Sequence, residues 1–103
     1  MSKPYKQFFH GKGIPKNTHG KKPMKWVPST YLDTYNAKTG RFRARRKFGE
    51  DGWAYKDMDI ADDHKQYDHV HDIYRGRRSD DRKPSKTEKK EFRKMKKKRR
   101  FLK

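Results

Sequence analysis

Residues 41–60 read RFRARRKFGEDGWAYKDMDI. The first eight alternate, with Phe42, Ala44, Arg46 and Phe48 on one face and Arg41, Arg43, Arg45 and Lys47 on the other. That period of two is the signature of a half-buried strand, and the four-cation face is expected to be solvated or to touch phosphate. GEDG, residues 49–52, is a turn, and residues 53–60 alternate again, setting Ala54, Lys56, Met58 and Ile60 against Trp53, Tyr55, Asp57 and Asp59. Working outward, residues 26–35, WVPSTYLDTY, are rich in β-branched and aromatic side chains and read as a strand from Ser29 on. NAKTG, residues 36–40, is the turn that joins this strand to the next. Three strands on short turns make an antiparallel meander, and HVHDIY, residues 69–74, adds a short fourth strand.

The flanks read differently. Residues 1–25 are rich in lysine, glycine and proline, which predicts an irregular basic arm. The HGKG step within it lacks the spacing of a phosphate-binding P-loop. Residues 75–86 read as a linker. Ser85 and Glu88 fit a capping box, and residues 87–102 hold good helix formers without Gly or Pro. Phe92, Met95 and Leu102 give this helix only a thin apolar stripe, and the rest is Lys and Arg. The expected architecture is α+β: a small antiparallel sheet of three to four strands, a basic C-terminal helix and an irregular basic N-terminal arm. The expected units are an arm at 1–25, a sheet core at 26–74, a linker at 75–86 and a basic helix at 87–103.

Composition narrows the functional classes. At 103 residues the chain holds at most one small domain, and with 28% hydrophobic against 43% charged residues its core is small. Two Trp, six Tyr and six Phe supply the bulk that can close it. A formal charge of +18 calls for a polyanionic partner, nucleic acid ahead of an anionic membrane surface. No apolar run is long enough to span a bilayer, and no signal-peptide core follows Met1, so a cytoplasmic location is expected. Cysteine is absent, which excludes disulfides and thiolate-bound zinc.

Against that basic background, residues 48–74 carry eight acids and two lysines, a formal charge of −6, and three of the five histidines. His69-Val70-His71 is an H-x-H step that places two imidazoles on one face of a strand, and Asp57-Met58-Asp59 does the same for two carboxylates. Such a group can share general-base and general-acid work. It can also hold a divalent ion, with Asp57, Asp59, His69 and His71 as the alternative ligands. The bland reading is a set of polar side chains on the wet side of a sheet. For phosphate, Arg41, Arg43, Arg45, Arg46 and Lys47 are the candidates on the sheet. Arg93, Lys96 and Lys97 are the candidates on the helix.

The run RRKFGEDGWAYKDMDIADD, followed by a histidine and then HVHD, resembles a C-terminal module carried by polymorphic toxins of the YD-repeat kind and by some phage structural proteins. The matching positions are Arg46, Phe48, Asp51, Gly52, Asp57, Met58, Asp59, His64, His69, His71 and Asp72, about a third of the chain's length being covered. The resemblance implies a nuclease toxin of the group that takes in barnase, EndoU, colicin and RelE-like ribonucleases, and with it RNA ahead of DNA as the nucleic acid and an immunity protein as partner. On that reading His69 and His71 are the acid and base, His64 stands next, Asp59 and Asp72 orient the imidazoles, and no cofactor is needed. A small basic nucleic-acid-binding protein, phage-borne or ribosome-associated and without catalysis, is the competing reading. Metal-dependent nuclease chemistry is the third.

Overall fold

The computed structural model describes residues 7–11, 14–19, 22–36, 41–61 and 66–97. Among these residues, seven strands precede one helix: β1 (Gln7–Gly11), β2 (Ile14–His19), β3 (Tyr31–Asn36), β4 (Phe42–Phe48), β5 (Ala54–Asp59), β6 (His69–Tyr74), β7 (Arg77–Arg78) and α1 (Lys86–Lys96). They form an open antiparallel sheet in the order β2-β1-β3-β4-β5-β6-β7, five central strands flanked by β2 and β7. The α+β class, the β3-β4-β5 meander and the fourth strand at residues 69–74 are as expected.

The strand count is not. The expected three to four strands become seven because β1 and β2 fall within residues 1–25, where an irregular arm was expected, and extend the sheet past β3, while β7 falls within the expected linker and extends it past β6. Within the expected linker, Arg75 and Gly76 take φ values of 47° and 85°, a two-residue turn with both central residues left-handed. The turn sends Arg77 and Arg78 back along Tyr74 and Ile73. Arg82 then bridges Val70, so this segment continues to cover β6.

A local shift in register sorts the side chains of β4. The pairing steps from Thr34↔Ala44 to Tyr35↔Phe42, so β4 carries one extra residue, Arg43, across this step. This bulge moves Phe42 off the face it was expected to share with Ala44, Arg46 and Phe48. Phe42 instead joins Tyr35, Met58 and Val70 beneath Phe92 and Met95 of α1. The opposite face has its own core of Leu32, Phe48, Ala54 and Ile73, capped by Met24 and Trp26. Residues 24–26 are held there by the bonds Ala54 N→Met24 O at 2.8 Å and Trp26 N→Gly52 O at 2.9 Å. Gly52 makes the second possible, since its φ of 84° suits glycine and its missing side chain would meet the Trp26 carbonyl.

The helix forms where the capping box placed it. The Ser85 hydroxyl accepts from Glu88 N at 3.2 Å, and the Glu88 carboxylate accepts from Ser85 N at 2.8 Å. Glu88 also accepts from Arg82 Nη1 at 2.8 Å and pairs with Lys56 at 2.6 Å, tying the helix start to the sheet. Phe92 and Met95 face inward, whereas Lys86, Lys89, Lys90, Arg93, Lys94, Lys96 and Lys97 are exposed. Residues 98–103, including the Leu102 of the expected stripe, lie outside the described residues.

Candidate acid–base site

Antiparallel pairing of β5 with β6 sets Asp57 opposite His71 and Asp59 opposite His69. On the other side of β5, Arg46 stands opposite Asp57. Residues directly opposite share a face, so the D-x-D and H-x-H steps converge on the side away from the helix. Asp57 is fully buried and accepts from Arg46 Nε at 2.7 Å, Arg46 Nη2 at 2.8 Å and Arg78 Nε at 2.9 Å. Burial by itself would push this carboxyl up. The Arg46 bonds, with the nearby charges of Lys22 and Arg78, outweigh burial and hold it below the usual carboxylate range. Burial pushes the Lys22 ammonium down, against the attraction of Asp57 and with the repulsion of Arg46.

Asp59 is the meeting point. Its Oδ2 accepts from Arg78 Nη2 at 3.0 Å and lies 3.3 Å from His69 Nε2 and 3.7 Å from His71 Nε2. The two imidazoles stand edge to face with centroids 5.1 Å apart. Each Nδ1 reaches a backbone carbonyl: His69 to Tyr67 O at 3.2 Å and His71 to Ser79 O at 2.8 Å. A carbonyl oxygen only accepts, so this geometry assigns the proton to both Nδ1 atoms and turns both Nε2 atoms toward Asp59. Asp59 Oδ1 is buried with no hydrogen-bond partner among the described residues. Arg78, 40% exposed along its side chain, marks the solvent side of the site, and the His71 side chain is 13% exposed.

The other candidates fall elsewhere. Asp72, expected to orient an imidazole, points to the opposite face because it alternates with His71 along β6. It pairs there with Arg82 at 2.7 Å, and that bond holds its carboxyl low. His64 lies outside the described residues. Arg45 and Lys47, expected on a solvated face, are bound inside the protein. Arg45 donates to Asp33 at 2.8 Å and to Glu91 at 3.1 Å and stacks over Tyr31 at 3.8 Å. Lys47 donates to Glu91 at 2.9 Å. Arg46 is spent on Asp57. Arg41 is exposed and Arg43 half-buried at the bulge. On the helix, Arg93 and Lys97 are exposed, and Lys96 reaches Asp68 at 2.6 Å.

Two residues of the site carried no recognisable signal. Lys22 is one of several lysines in what read as an arm, and Arg78 sat in an apparent linker. Only the turn that folds β7 back on β6 brings Arg78 to Asp57 and Asp59. The result is two imidazoles of fixed tautomer, one carboxylate between them, and Lys22, Arg46 and Arg78 around it. That set can move protons and can stabilise negative charge on a phosphoryl group. No family model matches the chain, and neither does any curated protein or solved structure.

Proposed function

We propose that the protein is a ribonuclease that cleaves RNA by acid–base catalysis, with His69 and His71 as the proton-transfer pair. The observation that carries the reading is the convergence of both Nε2 atoms on Asp59 beside Arg78. One imidazole takes the proton of a ribose 2′-OH, whose oxygen attacks the adjacent phosphorus, and the other returns a proton to the departing 5′-oxygen. Arg78 and Lys22 face the charge that grows on the phosphorane. The Nδ1 bonds to Tyr67 O and Ser79 O hold both rings, and Asp59 accepts from the Nε2–H of whichever imidazole carries the second proton. The exposed cations of α1 supply the sequence-independent grip on the backbone. Such an enzyme, if it is a toxin, requires an immunity partner that covers this site.

The test is incubation of the purified protein with total RNA and with DNA, with and without EDTA. Cleavage of RNA that survives EDTA is expected. His71→Ala and His69→Ala should each lose about a hundredfold or more in rate, the scale of a lost general acid or base, with RNA affinity nearly unchanged. Folded, RNA-binding protein that never cleaves would leave the non-catalytic binding reading, which the basic outer face of α1 also favours.

A further inference from the structure

We propose that Asp59, His69 and His71 form a site for a divalent transition-metal ion, Zn²⁺ foremost, and that its occupation shuts off the acid–base pair. One atom from each residue lies within 4.8 Å of the others, and the two imidazole-to-carboxylate separations are 3.3 and 3.7 Å. Ligands about 2.0–2.1 Å from a tetrahedral zinc stand roughly 3.3–3.4 Å apart, so the two separations sit at or just above that spacing. Metal-binding histidines commonly donate their other ring nitrogen to a carbonyl or carboxylate, which fixes the lone pair toward the ion. His69 and His71 both do this, through Tyr67 O and Ser79 O. The second observation is the buried Asp59 Oδ1, which has no partner among the described residues while Oδ2 is engaged by Arg78. An ion bound through the two Nε2 atoms and Oδ2, the oxygen those separations are measured to, shares that oxygen with Arg78 and offers a partner to Oδ1 of the same carboxylate.

The donor set chooses the metal. Two imidazoles and one carboxylate suit zinc and its neighbours, whereas magnesium and calcium take oxygen ligands. Three protein ligands leave a fourth position for water. Lys22, Arg46 and Arg78 oppose the ion's charge, and Asp57, committed to Arg46 and Arg78, offsets part of that repulsion. The ion is therefore expected to be exchangeable, bound when free zinc is plentiful and lost to a chelator. Occupation uses both Nε2 lone pairs, so neither imidazole is left to take or give a proton. The binding stands on the geometry alone; only its inhibitory consequence rests on the ribonuclease reading.

The experiment titrates ZnCl₂ into the full chain after dialysis against EDTA, following heat and the thermal unfolding midpoint. One-to-one binding and a rise in midpoint are expected. Asp59→Asn and His71→Gln should each weaken binding by about tenfold or more, with MgCl₂ giving neither signal. Because a variant could lose its fold, the parent is also followed by nitrogen NMR of its imidazoles, where zinc should move the Nε2 resonances of His69 and His71. No binding by the parent, unmoved Nε2 resonances, or folded variants that bind as the parent does would each overturn the site. RNA cleavage, measured separately in EDTA, should stop on adding zinc. Cleavage that continues at saturating zinc overturns the regulation. A parent that binds zinc but never cleaves RNA in EDTA keeps the site and defeats the ribonuclease reading instead.

Discussion

Asp57 and Arg46 form the most deeply buried ion pair described, with side chains 0% and 7% exposed. Removing one partner strands the other's charge, so Asp57→Ala is expected to cost about 3–5 kcal/mol in urea unfolding. Lys90→Ala, on the outer face of the helix, should stay within about 0.5 kcal/mol of the parent. Asp57 was legible as part of a D-x-D step, but its purpose was not. Alternation from Ala44 to Phe48 showed which residues share a face of β4 and did not show which acids would come to oppose them. Arg45 is the plainest case. Arg43, Arg46 and Lys47 crowd it in sequence, while its partners, Asp33 and Glu91, arrive from β3 and α1. A cation-rich strand therefore looked wet and proved to be internally paired. Asp72 misled for a different reason: it adjoins His71 in sequence, and adjacency on a strand means opposite faces.

At the scale of elements, the helix was the most readable part, because a capping box depends on side chains only three residues apart. Ser85→Ala should cost about 1 kcal/mol. Phe92→Ala, which empties the centre of the helix–sheet contact, should cost about 3–5 kcal/mol. Both are measured by chemical unfolding followed at 222 nm or by tryptophan emission. The loss in Phe92→Ala should leave the opposite core of Leu32, Phe48, Ala54 and Ile73 the better protected in hydrogen exchange. The β6–β7 turn was the least readable element. A two-residue loop usually announces itself as Asn-Gly or Asp-Gly, and here an arginine occupies the first left-handed position. The bulge at Arg43 left no mark in the sequence either, since it adds one residue to a strand whose pattern was already continuous.

For the whole molecule, charge sets two expectations. Asp57, Asp72, Glu88 and Glu91 are all held below the ordinary carboxylate range. Burial opposes this at all four and is the largest single influence at Asp57 and Glu91, and bonds from Arg46, Arg82 and Lys47 are chief among the causes that lower the four. A folded pKa below the unfolded one stabilises the native state fully above the unfolded value, about 4, and that contribution disappears as pH falls through the folded values. The urea midpoint should therefore drop steeply below about pH 4 as these four carboxylates protonate. The second expectation concerns RNA. Replacing Lys89, Lys90, Arg93 and Lys94 by Gln should flatten the dependence of log affinity on log salt, by about 0.7 for each phosphate of a single strand that the helix no longer neutralises. The melting temperature should change little. The α+β class and the strands of the meander followed from local pattern, and so did the pairing of the aspartate and histidine steps. The N-terminal hairpin and the residues that complete the site depended on contacts between distant parts of the chain.

The covering of β6 has a consequence for how the protein behaves in a crowded solution. Val70 and Arg82 exchange both of their backbone bonds, at 2.9 and 2.8 Å, and Ser79 N donates to Asp72 O at 2.8 Å. The outer rim of HVHDIY is thus already occupied by its own chain, with two arginines and further charge beyond it. A foreign strand finds no vacant row of donors and acceptors there, and the strand that holds the histidines is closed to fibril growth from that rim. Substituting Arg82 and Ser79 by proline would remove those donors and open the rim. Light scattering at neutral pH should then register more assembly in the variant than in the parent.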